Sequence, residues 1–81
     1  TSLLGVALVS RVTIYSRDGC VYCDMAIALA KKKNMEMSVL KLGTDYSVEE
    51  FQAKFIYAKT VPQIVLDGEH IGGYQDLKDL V

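Results

Sequence analysis

Residues 12–23 read VTIYSRDGCVYC, and this stretch decides the fold. The β-branched and aromatic residues at 12–15 predict a buried strand, and the apolar segment that begins at Met25 predicts a helix. Between them stand Cys20 and Cys23, the only cysteines of the chain. In a strand–loop–helix arrangement Cys20 falls at the start of the helix, where unpaired backbone N–H groups and the helix dipole favour a thiolate.

The spacing of the two cysteines predicts redox chemistry. Cys20 is the expected nucleophile because of its place at the helix start. Cys23 follows three residues later on the same helix face, so it can close a disulfide with Cys20 by little more than a rotamer change. We therefore predict that Cys23 is the resolving thiol.

Two alternatives for the cysteine pair stay open. The same spacing suits half of a tetrahedral zinc site, but His70 is the only histidine, and a fourth ligand would have to come from a carboxylate or a second chain. A purely structural disulfide would close a very short loop and remove little entropy from the unfolded chain. We favour redox chemistry over both alternatives and predict no metal site.

Composition and charge limit the classes of protein to which the chain can belong. With 81 residues, of which 51% are hydrophobic, it has room for one domain with one dense core. Nine basic and ten acidic side chains give a net charge of -1, so no surface for nucleic acid or for an anionic membrane is predicted. Two cysteines, with none left over for a disulfide framework, fit a reducing compartment, and we expect the cytoplasm.

We interpret residues 1–10 as an N-terminal extension of unknown role and residues 11–81 as the domain. The extension is apolar, carries no positive charge and is too short to span a bilayer, so no signal peptide is predicted. The sequence does not begin with Met. A processed product, an expression remnant and a domain of a longer protein are all compatible with that start.

Hydrophobic periodicity predicts the element order βαβαββα. The first helix is expected over residues 21–33, with lysines in its last turn, at the negative end of the dipole. Its apolar residues are Met25, Ile27, Ala28, Leu29 and Ala30. A second strand over residues 36–42 is expected to run parallel to the first after the helical crossover. One face of this strand carries Met37, Val39 and Lys41.

The second half of the chain predicts a helix, a hairpin and a closing helix. Ser47, followed by Glu49 and Glu50, is typical of a helix start. The apolar stripe of that helix continues to about residue 57 and consists of Phe51, Phe55 and Ile56. Residues 63–66 and 69–71 predict two short strands around an Asp-Gly turn at 67–68. The Gly-Gly pair at 72–73 ends the hairpin, and residues 74–80 form the last helix.

Three motifs in this order resemble the thioredoxin superfamily, and the small glutaredoxins in particular. They are IYSRDGCVYC at 14–23, TVPQ at 60–63 and HIGGYQDL at 70–77. Together they cover almost all of residues 11–81 in the right order and spacing. The resemblance implies an α/β, thioredoxin-like fold, in which a four-stranded mixed sheet is flanked by three helices.

The resemblance also implies a glutathione site beside the cysteines. Pro62 would follow a cis peptide bond that turns the backbone of Val61 toward an extended peptide or glutathione. The Gly-Gly turn would let the ligand approach the backbone amides that follow, and Asp76 would accept from the γ-glutamyl ammonium group. Arg17 would dock the glycyl carboxylate and stabilise the thiolate, and Tyr22 would screen the sulfur pair. The implied glutathione-binding residues are Arg17, Tyr22, Thr60, Val61, Pro62, Gly73, Tyr74, Gln75 and Asp76. His70 and Tyr15 are expected to be structural.

The implied function is thiol–disulfide exchange with glutathione as co-substrate and no bound cofactor. The Cys20 thiolate attacks a disulfide, a mixed disulfide forms, and either Cys23 or glutathione resolves it. Glutathionylated proteins, protein disulfides and ribonucleotide reductase are the implied clients, and the protein is expected to be a monomer.

Two positions depart from the family pattern. Val21 stands where many glutaredoxins have Pro, which changes the rigidity of the helix start. Near the second helix, where relatives often place a Gln, Lys or Arg for the glycyl carboxylate, this chain has Glu49 and Glu50. A carboxylate there would repel that ligand group, and Lys54 or Lys59 would be the substitutes.

Those departures leave three further hypotheses open. The chain could be a glutaredoxin-like electron donor for ribonucleotide reductase that is reduced by thioredoxin reductase. It could be a binding module that holds an iron–sulfur cluster between two chains through Cys20 and glutathione. It could also be one domain of a larger oxidoreductase.

Overall fold

In the part of the chain that the structure describes, seven elements follow one another in the predicted order βαβαββα. A computed structural model describes residues 10–58 and 60–81. The elements are β1 (Arg11–Ser16), α1 (Val21–Lys32), β2 (Glu36–Lys41), α2 (Val48–Lys54), β3 (Gln63–Leu66), β4 (Glu69–Gly72) and α3 (Tyr74–Leu80). Most of the predicted N-terminal extension and the predicted substitute Lys59 lie outside the described residues. The boundary at residue 10 therefore stays a prediction.

The four strands form one mixed sheet in the order β2-β1-β3-β4. β1 pairs in parallel with β2, as expected after a helical crossover, and antiparallel with β3. β3 and β4 form the predicted hairpin, in which Leu66 is paired with Glu69. Its turn residues Asp67 and Gly68 have φ of 50° and 87°, the left-handed conformation that a two-residue hairpin loop requires. The predicted fold class is therefore confirmed.

Side chains of β1 alternate between two hydrophobic clusters on opposite faces of the sheet. One face packs against α1 and α3 through a cluster of Val12, Ile14, Ala26, Ala30, Ile64 and Leu77. The other face carries aromatic side chains of Tyr46, Phe51 and Phe55, against which Tyr15 and Leu40 pack. We call these two groups the aliphatic cluster and the aromatic cluster. Burial on both faces agrees with the β-branched and aromatic residues at the centre of β1.

The predicted end of the second helix was wrong. α2 ends at Lys54, and Phe55 has φ of -122° and ψ of 73°, outside the helical region. This bend places the Phe55 ring 4.9 Å from the Tyr15 ring, inside the aromatic cluster. Ile56 and Tyr57, which were expected to continue the helix, are 70% and 91% exposed.

Smaller corrections apply to the edge strand and to the end of α1. β2 ends one residue earlier than predicted, at Lys41, and Val39 is 38% exposed because β2 forms the edge of the sheet. Lys33 is the C-cap of α1 rather than part of its last turn. Asn34 follows with φ of 56°, a left-handed conformation that Asn tolerates better than most residues do.

Among residues 10–58 and 60–81, no helix is both long enough and apolar enough to cross a membrane.

Candidate functional site

Cys20 and Cys23 lie at the N-terminus of α1 and form a disulfide. Cys20 is the N-cap residue, and its Sγ accepts a hydrogen bond from the backbone N–H of Cys23 at 3.1 Å. Cys20 is 8% exposed, whereas Cys23 is only 1% exposed. An incoming thiol therefore reaches Cys20 more easily than Cys23.

The N-cap position gives Cys20 a chemical role as well as a structural one. An N-cap side chain normally satisfies an unpaired N–H of the first helical turn through oxygen, and here sulfur takes that place. After reduction, the same N–H and the positive end of the helix dipole stabilise a negative charge on Cys20 Sγ. The local geometry thus favours the thiolate at Cys20.

The backbone ahead of the cysteine loop is anchored by Tyr46. Its hydroxyl donates to the carbonyl oxygen of Ser16 at 2.7 Å, and the Ser16 hydroxyl donates to the carbonyl oxygen of Leu40 at 3.0 Å. Burial, and secondarily the nearby Tyr15, raises the pKa of Tyr46 above its ordinary value, so the phenol keeps its proton and remains a donor. These bonds hold the end of β1, from which the loop to Cys20 departs.

The segment opposite Cys20 contains the cis peptide bond that the resemblance implied. The bond joins Val61 to Pro62, and the Val61 carbonyl oxygen lies 3.8 Å from Cys20 Sγ. Pro62 is buried, Val61 is half-buried and Thr60 is exposed. The chain therefore presents the Thr60–Val61 backbone at the surface directly beside the reactive sulfur.

A groove on one side of this backbone brings together eight of the nine implied glutathione-binding residues. We call it the Tyr74 groove. Asp76 Oδ2 accepts a hydrogen bond from the N–H of Gly73 at 2.9 Å, and the Tyr22 and Tyr74 ring centroids are 6.2 Å apart. The lining residues are Tyr22, Met25, Thr60, Val61, Pro62, Gly73, Tyr74, Gln75, Asp76 and Lys78. Met25 and Lys78 were not predicted, although their helical spacing from Tyr22 and Tyr74 places them nearby.

The ninth implied residue, Arg17, lines a second groove on the other side of the same backbone. This Arg17 groove shares Thr60 and Val61 with the Tyr74 groove. From α2 it receives Val48 and Gln52, which lie four residues apart and hence on one helix face. Sequence reasoning missed Gln52, for which the i, i+4 spacing from Val48 was the available signal.

The structure also shows what the predicted repulsive carboxylates do. Glu50 Oε1 accepts from the backbone N–H of Ser47 at 3.0 Å, and Ser47 Oγ accepts from the N–H of Glu50 at 3.1 Å. This is a capping box, which keeps the Glu50 carboxylate at the helix terminus. Glu49 and Glu50 do not line the Arg17 groove. Lys54 is not among its lining residues either, and its Nζ lies 6.0 Å from the centre of the Phe55 ring.

The lone histidine is hydrogen-bonded away from the cysteines. His70 Nε2 is 2.7 Å from Gln63 Oε1, and the His70 ring lies against Phe55 with centroids 4.4 Å apart. In the part of the chain that the structure describes, no three His, Cys, Asp or Glu side chains come together as a metal site would require.

Comparisons with known proteins agree on one family. The family model described as Glutaredoxin matches residues 12–71. Glutaredoxin 3 of Escherichia coli (strain K12) is 37% identical over 68 residues, which cover 84% of this chain and 82% of that protein. Glutaredoxin 1 of Rickettsia prowazekii is 39% identical over 77 residues, which cover 91% and 80%. The crystal structure of glutaredoxin 1 from Francisella tularensis superposes with a TM-score of 0.75 at 31% identity, covering 88% of this chain and 91% of that one.

Proposed function

Because this chain belongs to the glutaredoxin family and is a thiol–disulfide oxidoreductase, we propose that glutathione is its reductant. Its substrates would be glutathione mixed disulfides and protein disulfides. The observation that carries the proposal is the position of Cys20. Its sulfur accepts a hydrogen bond from the backbone N–H of Cys23 at the start of α1. The same sulfur lies 3.8 Å from the carbonyl oxygen of Val61, a residue that lines both the Tyr74 groove and the Arg17 groove.

The two grooves suit the two ends of an extended tripeptide. The γ-glutamyl end carries an ammonium and a carboxylate, which match the Asp76 carboxylate and the backbone amides of Tyr74 and Gln75. The glycyl carboxylate at the other end matches the guanidinium of Arg17 and the side-chain amide of Gln52. In this arrangement the cysteinyl residue lies beside Val61, whose backbone can pair with it as with an added strand.

With a glutathione mixed disulfide, one cysteine is sufficient. The Cys20 thiolate attacks the glutathione sulfur, the client leaves as a thiolate that takes up a proton, and a Cys20–glutathione disulfide remains. The thiolate of a second glutathione then attacks the sulfur of the bound glutathione. This step releases glutathione disulfide and regenerates the Cys20 thiolate, so that one glutathione thiol is oxidised for each client thiol released.

With a protein disulfide, both cysteines take part. Cys20 attacks one client sulfur and forms a mixed disulfide, and the Cys23 thiolate then attacks Cys20 Sγ and releases the client as a dithiol. The product is the Cys20–Cys23 disulfide that the structure contains. Two molecules of glutathione return this disulfide to the dithiol and leave as glutathione disulfide.

The wider biological setting belongs to the same proposal and is supported by family resemblance and composition. Ribonucleotide reductase and glutathionylated proteins would be clients, and the protein would act as a monomer in electron transport in the cytoplasm. Since the matches are to glutaredoxins, reduction by thioredoxin reductase is not favoured over reduction by glutathione.

The test is turnover of a glutathionylated peptide with reduced glutathione, glutathione reductase and NADPH. We expect activity in the wild type and in Cys23→Ser, and its loss in Cys20→Ser, because only Cys20 is needed to accept glutathione. Cys23→Ser is the matched control, since it also prevents the disulfide but keeps the nucleophile. A wild type that is inactive with glutathione but reduced by thioredoxin reductase would contradict the proposal.

A further inference from the structure

The side chain of Gln63 bridges the backbone beside Cys20 to His70 on the neighbouring strand. Gln63 directly follows the cis Val61–Pro62 unit and is only 8% exposed. Its Nε2 donates to the carbonyl oxygen of Thr60 at 2.8 Å. Because a carbonyl oxygen can only accept, the amide nitrogen must face Thr60 and the amide oxygen must face His70. His70 Nε2 therefore carries the hydrogen in this 2.7 Å contact.

His70 is itself held from two sides. It lies on β4 and pairs with Val65 of β3, and its ring packs on Phe55 with centroids 4.4 Å apart. Phe55 belongs to the aromatic cluster and is 4% exposed. His70 is an exposed residue of β4, and its contact with Phe55 and its pairing with Val65 hold the ring against the Gln63 amide.

The bond from Gln63 to Thr60 controls which way the next N–H points. In the described residues the cis bond is the one between Val61 and Pro62, so the peptide unit between Thr60 and Val61 is trans and planar. In such a unit the C=O and the N–H point in opposite directions. When Gln63 holds the Thr60 carbonyl, it consequently also sets the direction of the Val61 N–H.

We propose that Gln63 and His70 are a positioning pair for thiol exchange, orienting the Val61 N–H for the backbone of the glutathionyl group. The pair lines neither the Tyr74 groove nor the Arg17 groove. It acts through the Thr60–Val61 peptide, which both the Tyr74 groove and the Arg17 groove share. The inference rests on the proposed function, because it explains what orients the Val61 N–H, and the proposed binding of glutathione uses that N–H.

Three variants test the two hydrogen bonds separately, the one from His70 to Gln63 and the one from Gln63 to Thr60. Gln63→Met keeps the length of the side chain but cannot bond to Thr60. His70→Phe keeps a ring over Phe55 but has no donor for Gln63. His70→Gln restores a donor at the same position and is the rescue variant. Glu69→Ala, an exposed neighbour on β4 outside both grooves, is the control.

The experiment measures kcat and KM for a glutathionylated peptide at saturating glutathione, together with the pH profile of Cys20 alkylation. We expect Gln63→Met and His70→Phe to raise KM by about three- to tenfold, the effect of losing one hydrogen bond. A contact made equally in the ground state and the transition state leaves kcat unchanged. The alkylation profile also stays unchanged, because the N–H of Cys23 still reaches Cys20. His70→Gln and Glu69→Ala should behave like the wild type.

The double variant Gln63→Met/His70→Phe tests whether His70 acts through Gln63. We expect its KM to match that of Gln63→Met alone. In that variant the Gln63 amide is already absent, so replacing His70 removes no further hydrogen bond that acts on Thr60. Additive increases in KM, or unchanged KM values alongside lower melting temperatures, would overturn the inference and leave the proposed function intact. A wild type without glutathione-dependent turnover would overturn both.

Discussion

Among the glycines near the site, Gly72 has the least room for a side chain. Its φ is 120°, and a Cβ built there would collide with Oδ2 and Cγ of Asp76. Gly72→Ala should therefore strain the backbone and also push Asp76 away from the N–H of Gly73. We expect a loss of about 1–3 kcal/mol in the free energy of unfolding, measured by urea denaturation, and a several-fold rise in the KM for glutathione.

Gly68→Ala is the matched control for that change. Gly68 also has a positive φ, 87°, but a Cβ there would meet no atom within 4 Å. The substitution should cost about 1 kcal/mol of stability through backbone strain alone and leave the KM for glutathione unchanged. Equal KM values for the two variants would show that Asp76 does not contact glutathione.

At the same scale, the structure brings most residues of the sequence motifs together beside Cys20. Cys20 and Cys23 lie at a helix start, as the local sequence indicated, and the cis bond before Pro62 lies where the family resemblance implied it. Gln52 was missed, since only the packing of α2 decides which of its faces borders a groove.

At the scale of elements, α2 depends on its capping box. Ser47 and Glu50 exchange two hydrogen bonds, and the helix has only 7 residues. Ser47→Ala should lower the free energy of unfolding by about 1 kcal/mol, measured by urea denaturation. Glu49→Gln, a change in the same turn that touches neither bond, should be close to neutral. Equal losses in both variants would argue that charge, and not capping, stabilises α2.

The anchoring of β1 by Tyr46 predicts a pH dependence of stability. The pKa of Tyr46 is raised above 10.0 by burial and by Tyr15. The folded state then binds the phenolic proton more tightly than the unfolded state, so the associated stability is complete below about pH 10 and is lost as pH rises through the folded pKa. We expect urea denaturation to show a steeper decline in stability above about pH 10 for the wild type than for Tyr46→Phe.

Tyr57→Phe is the control for this comparison. Tyr57 is 91% exposed, and its substitution should leave the decline as steep as in the wild type. At neutral pH, Tyr46→Phe should also cost about 1 kcal/mol, because the Ser16 carbonyl loses its donor. A decline equally steep in wild type and Tyr46→Phe would refute the role of this phenol.

At the scale of the whole molecule, α3 closes the aliphatic cluster. Leu77 is 0% exposed and packs with side chains of α1 and the sheet, whereas Leu80 of the same helix is 61% exposed. Leu77→Ala should lower the free energy of unfolding by about 2–5 kcal/mol, and Leu80→Ala by less than about 0.5 kcal/mol. Urea denaturation, followed by circular dichroism, measures both losses. Similar losses would mean that α3 is not part of the core.

The sequence by itself determined the element order, the hairpin turn, the helix start at Ser47 and the position of the reactive cysteines. These features depend on residues close together in the chain: alternating apolar residues, an Asp-Gly pair and a cap three residues from its partner. The local sequence is therefore sufficient to specify them.

Only the tertiary structure decided the end of α2, the exposure of Val39 and the composition of the two grooves. α2 ends where it does because the Phe55 ring joins Tyr15 and His70, residues far from it in the chain. The grooves join residues from the first loop, α2, the cis-proline segment and α3. Burial and contact between such distant residues depend on how whole elements pack, and no local pattern specifies that packing.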